Sequence, residues 1–355
     1  KEDGMTVEEE AMKRKKTSRF IEEACRILKL HRVATATALV FFHRFYAKHS
    51  FGKHDRFEVA VACILLAAKT EEAPRKVVAV LSECHKLRSR AMRMSRENGN
   101  SPASSSTSPV PPTVLEPKSE EFNKLKERVL LLERVVLHTI GFELSVDHPY
   151  KFIVDRIKSM IQRKQIEFID NDVATYSPNP NTNNKGKSSS SSSNNSSNSK
   201  NNNSAASNTA SQSVRDRLMN EVVQYAMSFA NDSFQTSLCI QFPADRISKA
   251  CVFLGGQVAK TTADWPTVLE IADDIEGFAS ICVQLLDLVS EKKGKMNENN
   301  KAAFRVMRNE LEKLRVANSK RSAANNNKIE AASQKSRNPR PPPTSSSSSR
   351  QASPK

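Results

Sequence analysis

Apolar positions recur along this chain at the three-and-four spacing of helices, in blocks separated by stretches nearly free of apolar groups. Phe20, Cys25, Ile27, Leu28 and Leu30 predict an amphipathic helix capped by Thr17 or Ser18. A second helix is predicted from about Ala34 to His49, ending before Phe51-Gly52. The third follows Asp55-Arg56 and has 11 apolar residues among the 12 from Phe57 to Ala68. Apolar on every side, it should lie among other helices rather than on a surface. Pro74 stops it, and Arg75–Arg90 predicts a fourth helix. Glu120–Thr139, rich in Leu and Val, predicts a fifth. Downstream the pattern predicts helices at about His148–Glu167, Val214–Ala230, Ile247–Lys260 and Gly277–Ser290, with a short one after Trp265-Pro266.

The breaks between blocks are compositional. Ser95–Pro117 holds five prolines and many serines, and the only apolar residues of Ser177–Ser213 besides two prolines are three alanines. Such segments bury too little surface to offset the entropy of ordering them, so both are expected to be disordered. Asn, Ser, Pro and Arg return beyond about Ser319. The order Tyr46-Ala47, Ser50-Phe51, Asp55-Arg56, Ala60…Cys63 recurs as Phe229-Ala230, Ser233-Phe234, Asp245-Arg246, Ala250-Cys251, which points to an internal duplication. The fold class expected is all-α, two five-helix modules in tandem. Residues 1–16 read as an N-terminal extension and 17–144 as the first module, with a loop at about 95–117. Residues 145–293 read as the second module, with an insertion at about 171–213, and 294–355 as a basic, mostly disordered tail.

Composition narrows the function classes. Nine glycines in 355 residues argue against turn-rich β architectures and leave no Gly-rich phosphate loop. Gly255-Gly256 lies within a helical pattern and reads as close helix packing. The net charge is +16, but the 65 residues from Glu291 carry +11 of it and the first 290 only +5. The excess therefore belongs to a tail, and the folded part need not bind nucleic acid. Six cysteines stand singly without a CxxC pair, which suits buried thiols in a reducing compartment better than zinc. His43, His49 and His54 do not share a helical face, so structural histidines are favoured over a metal site. No apolar run reaches the ~20 residues of a membrane span. A targeting signal cut from in front of Lys1 would not be visible. No nucleophile with a nearby base is identifiable, so neither an enzyme nor a cofactor is expected.

Several motifs carry a family likeness. His43-Arg44-Phe45-Tyr46, Leu65–Pro74 (LLAAKTEEAP), Leu132-Glu133-Arg134 with Thr139–Leu144 (TIGFEL), His148-Pro149-Tyr150 and Phe229–Ser233 (FANDS) together resemble the cyclin box and its second repeat. The resemblance is strongest to the transcriptional group, cyclins K and T. It implies a tandem cyclin fold and a nuclear, non-catalytic subunit. Its partner would be a cyclin-dependent protein kinase acting on the RNA polymerase II C-terminal domain. It also implies that Lys69, Glu72, Glu133 and Phe142 face the kinase, with Lys69 and Glu133 adjacent in space at the protein surface. Against this, Lys69 also reads as a cation complementing a helix C-terminus, and Phe142 as a core residue. The alternative family is the DNA-binding tandem core of the TFIIB type, disfavoured by the absent zinc ribbon and the charge lodged in the tail. That tail reads as an arm for nuclear import or weak RNA contact, with an amphipathic helix around Ala302–Val316, or as a solvated tail with no binding role.

Overall fold

The computed structural model of the chain describes residues 4–97, 116–117, 119–169, 203–292, 304–317 and 319–320. Helix α1 (Val7–Ile27) begins ten residues before the expected cap. Thr6 and Glu9 form a reciprocal capping box there, and Glu8, Glu9 and Glu10 complement the helix dipole. Thr17 and Ser18 are buried mid-helix, their hydroxyls donating back to the carbonyls of Lys13 and Arg14. The helix thus runs back through most of the stretch read as an extension. α2 (Arg32–Lys48) is capped by the His31 ring, and α3 (Arg56–Thr70) by Asp55, whose carboxylate accepts from Phe57 and Glu58 N–H. α4 (Val77–Glu97) and α5 (Glu120–Thr139) complete the first module. α3 sits at its centre, buried from Val59 through Ala68.

The second module opens with α6 (Pro149–Gln162), entered through Pro149 at its first turn. It continues with α7 (Asn203–Ser233), α8 (Leu238–Gln241), α9 (Ala244–Val258), α10 (Trp265–Val268) and α11 (Ile275–Lys292). α9 is its counterpart of α3, buried from Ala250 through Gly256. α6 stops five residues short of Glu167, because Lys164 turns left-handed (φ +56°). The following Ile166 and Phe168 then alternate with polar residues in strand fashion. β1 (Glu167–Phe168) pairs antiparallel with β2 (Thr261–Thr262). α7 begins at Asn203, eleven residues before the expected start. The remainder of the insertion, the loop residues 98–115 and most of the tail lie outside the described residues.

Each module has its own core. The first gathers Phe41, Phe42, Phe45, Ile64, Leu65 and Phe122, and it also takes in Phe234 from the chain that follows α7. The second gathers Val222, Phe253, Trp265, Phe278 and Leu285. It is closed by a helix at 304–317, α12, which buries Phe304, Met307 and Leu311. Arg308 and Arg315 of α12 pair with Asp287 and Glu276 of α11. Residues 304–317 of the tail are therefore packed rather than free, because their apolar residues fall on one helical stripe.

Gly255 confirms close packing as the meaning of the paired glycines. A Cβ there would lie 2.7 Å from the backbone nitrogen of Ala226 on α7. Gly255→Ala is expected to destabilise the chain by about 1–3 kcal/mol, since two backbones would have to separate. A thermal melt reads this as a lowered Tm, and an unchanged Tm would mean that α7 and α9 shift apart freely.

Candidate functional site

The C-terminal ends of α3 and α5 form a polar rim over an apolar body. On α5 the buried stripe runs Phe122, Val129, Glu133, Val136, so that a carboxylate interrupts an otherwise apolar face. That carboxylate meets Lys69, which ends the all-apolar stretch of α3. Lys69 Nζ lies 2.6 Å from Glu133 Oε1, with side-chain exposures of 54% and 11%. Both were expected at the surface; Lys69 is there, whereas Glu133 is largely covered. A second pair, Glu58 with Arg128 at 2.8 Å, joins the same two helices near the start of α3.

Two left-handed turns flank the pair. α3 ends on Glu71, and Glu72 follows with φ +53°, exposed, its N–H directed to the Lys69 carbonyl. α5 ends on Ile140, and both Gly141 (φ +68°) and Phe142 (φ +60°) are left-handed. An aromatic side chain in that region is strained, and such residues persist only where the surroundings over-determine them. Here Phe142 N–H bonds the Leu137 carbonyl, while Arg44 and Lys48 of α2 donate to the carbonyls of Glu143 and Thr139. Phe142 is 58% exposed, and its ring rests edge-on against His138. This excludes the core reading of Phe142 and leaves an aromatic face open to a partner.

α2 moors both turns, and its polar residues escaped sequence reasoning. Thr37 donates to Glu71 Oε1 at 2.6 Å and contacts His148 Nε2 at 2.8 Å. His31 Nε2 reaches the Glu71 carbonyl at 3.2 Å. Arg75 donates to the carbonyls of Leu28 and Lys29 and so ties the segment after Glu72 to the α1–α2 turn. His43 and His148 stand in motifs quoted above for their family likeness, but nothing in their spacing announced these contacts.

The histidines are structural. His43 is fully buried; its Nδ1 accepts from Arg14 at 3.1 Å and its Nε2–H donates to the Phe234 carbonyl at 2.8 Å. Burial first, and then the Arg14 cation, holds its pKa down to about 3 despite the Phe234 carbonyl, so the ring is neutral. His49 stacks on Phe45 and bonds Thr139 Oγ1. The six cysteines are free, and burial raises all six thiols, those of Cys25 and Cys239 up to about 12, which disfavours the thiolate form. Among the described residues no three His, Cys, Asp or Glu side chains gather as a metal-holding group, and no helix is long and apolar enough to cross a membrane. What the rim offers chemically is recognition: a fixed ion pair, an exposed carboxylate and an exposed ring beside apolar helices.

Residues 1–145 match the family described as the cyclin N-terminal domain. Cyclin-T1-3 of Oryza sativa subsp. japonica is 29% identical over 73% of this chain and 38% of its own length. Human Cyclin-K is 26% identical over 83% of this chain and 39% of its own length. Cyclin-T1-5 of Arabidopsis thaliana is 27% identical over 73% of this chain and 32% of its own. The chain thus spans between about a third and two fifths of the length of these relatives. In the crystal structure of the yeast RNA Pol II CTD kinase CTDK-1 complex, one chain has a like fold. The TM-score is 0.50 at 14% identity, covering 80% of this chain and 67% of that one.

Proposed function

Because the chain belongs to the cyclin family, within its transcriptional group, we propose that it binds and activates a cyclin-dependent protein kinase as a non-catalytic regulatory subunit. The rim at the ends of α3 and α5 is the contact surface, with Lys69, Glu72, Glu133 and Phe142 facing the kinase. The kinase supplies ATP site, metal and catalytic groups; this chain fixes the kinase helix whose Glu must pair with the catalytic Lys. The substrate is the C-terminal domain of RNA polymerase II, and the complex is nuclear. The basic residues beyond α12 serve as an import arm or a weak RNA contact, with no membrane role.

The observation that carries this reading is the Lys69–Glu133 pair, 2.6 Å long and 64 residues apart in sequence. It joins two helices at the edge of an apolar body, with its cation in solvent and its anion mostly covered. Charges so placed orient a partner and reject wrong ones more than they add raw affinity. Purification of the tagged full chain from its own cells, with mass spectrometry of the bound proteins, tests the reading. A protein kinase should co-purify in equimolar amount and phosphorylate peptides of the polymerase C-terminal domain. Recovery without any kinase would overturn it.

A further inference from the structure

We propose that His148, Thr37 and Glu71 form a positioning relay that sets the turn carrying Glu72 and couples it to the start of the second module. The proposal rests on the kinase-facing reading of that turn. Thr37 is fully buried on α2, with Oγ1 2.6 Å from Glu71 Oε1 and 2.8 Å from His148 Nε2. A carboxylate only accepts, so the one hydroxyl proton of Thr37 goes to Glu71. The hydroxyl oxygen is then left to accept, and His148 must carry its proton on Nε2. His148 Nδ1 is buried without a hydrogen-bond partner, as suits a neutral ring of that tautomer. The relay therefore has a single polarity: imidazole N–H to hydroxyl, hydroxyl to carboxylate.

Both ends of the relay are structural junctions. Glu71 caps α3, and its carbonyl also faces His31 Nε2, whose Nδ1 accepts from Ala34 N–H. Glu71 is thus gripped through side chain and backbone, immediately before left-handed Glu72. Left-handed backbone after a helix is usually filled by glycine, so Glu72 holds it at a cost that the contacts of Glu71 help to offset. The other end, His148, is the cap position of α6, the first helix of the second module. Movement of α6 against α2 acts first on Thr37, then on Glu71, then on the turn. The Lys69–Glu133 pair is made directly between side chains of α3 and α5 and uses none of the side-chain bonds of this relay. The rim accordingly has two separable parts, a fixed ion pair and a turn set from the second module.

The test is hydrogen–deuterium exchange on the free full chain, comparing wild type with Thr37→Val and Thr37→Ser, together with the ¹⁵N spectrum of the His148 ring. Thr37→Val keeps the shape and removes the hydroxyl. It should speed exchange of the Glu72 and Ala73 amides about tenfold, as expected for one lost charge-assisted hydrogen bond, and abolish the single Nε2–H tautomer of His148. Thr37→Ser should restore both, while core amides such as those of Cys63 and Val252 stay unchanged in either variant. Unchanged exchange at Glu72 and Ala73, or an equal rise in both cores, would overturn the relay. A second arm measures binding of the co-purifying kinase. If Lys69→Met and Glu133→Gln weaken binding but Thr37→Val does not, the turn is not positioned for the kinase and the proposal fails. If none of the three alters binding, the kinase-facing reading of the rim is what fails.

Discussion

Replacing Glu133 with lysine is expected to weaken binding of the cognate kinase by about 2–5 kcal/mol, a loss of roughly thirtyfold to several thousandfold in affinity. The substitution sets two cations side by side where Lys69 Nζ now lies 2.6 Å from the carboxylate. It also repels any lysine or arginine of the partner. Because Glu133 lies on the buried stripe of α5, Glu133→Lys will also cost the free chain some stability, and binding alone would not decide the matter. Glu133→Gln keeps size and hydrogen bonding while removing the charge, and should leave the melt of the free chain nearly unchanged. Lys69→Met strands a mostly covered carboxylate and should weaken binding more than Glu133→Gln does. Binding of the purified kinase is to be measured beside a thermal melt for all three variants. Normal binding by well-folded Glu133→Gln and Lys69→Met together would remove the ion pair from the interface.

A second large effect is expected below neutral pH. His43 has an ordinary pKa near 6.5 in the unfolded chain and one of about 3 when folded. Below pH 6.5 the unfolded state therefore binds a proton that the folded state refuses. The stabilisation is complete above pH 6.5 and falls by about 1.4 kcal/mol per pH unit as the pH drops toward 3. Between pH 6.5 and 4.5 His43 alone should remove about 2–3 kcal/mol. His148, His85 and His49 are shifted down by burial as well and act in the same direction. Urea unfolding at several pH values measures the slope. His43→Gln keeps a donor for the Phe234 carbonyl but does not titrate, so its slope should be shallower by about one proton. An identical slope in variant and wild type between pH 6.5 and 5 would refute the assignment.

Much of the helical plan was legible because apolar periodicity is strong where a helix is central. α5 was read with the bounds it has, and α3 from the near-continuous run between Phe57 and Ala68. The start of α1 was misplaced although Thr6-Val7-Glu8-Glu9 carries the capping-box pattern; Thr17 and Ser18, just ahead of the apolar run, drew the boundary instead. The Ser/Asn start of α7 was missed because propensity is a weak guide once a helix can propagate backward from a well-packed segment. Helix ends were hard to read for a different reason. Lys29, Glu72, Lys164, Lys260 and Glu270 occupy left-handed positions after helices where glycine is usual. Of the rim, Lys69, Glu72, Glu133 and Phe142 were named as kinase-facing through family likeness and not through spacing. Thr37 was not singled out, and the meeting of Glu71 and His148, both within quoted motifs, at its hydroxyl was not foreseen, since only tertiary packing brings residues 111 positions apart together.

Phe234 has a bearing on how the chain can be made. Its ring completes the first core and its carbonyl accepts a hydrogen bond from His43 Nε2–H, 191 residues away. On a ribosome adding ~5–20 residues per second, α5 is finished roughly 5–20 s before Phe234 emerges. During that interval the nascent first module carries an unfilled apolar socket and an unanswered imidazole N–H. It is then a client for chaperones and a weak point for proteolysis. Cutting a recombinant fragment at residue 144 would make that interval permanent. A fragment meant to fold should carry the second module as well, since a stop after α8 would leave the apolar faces of α6 and α7 without α9.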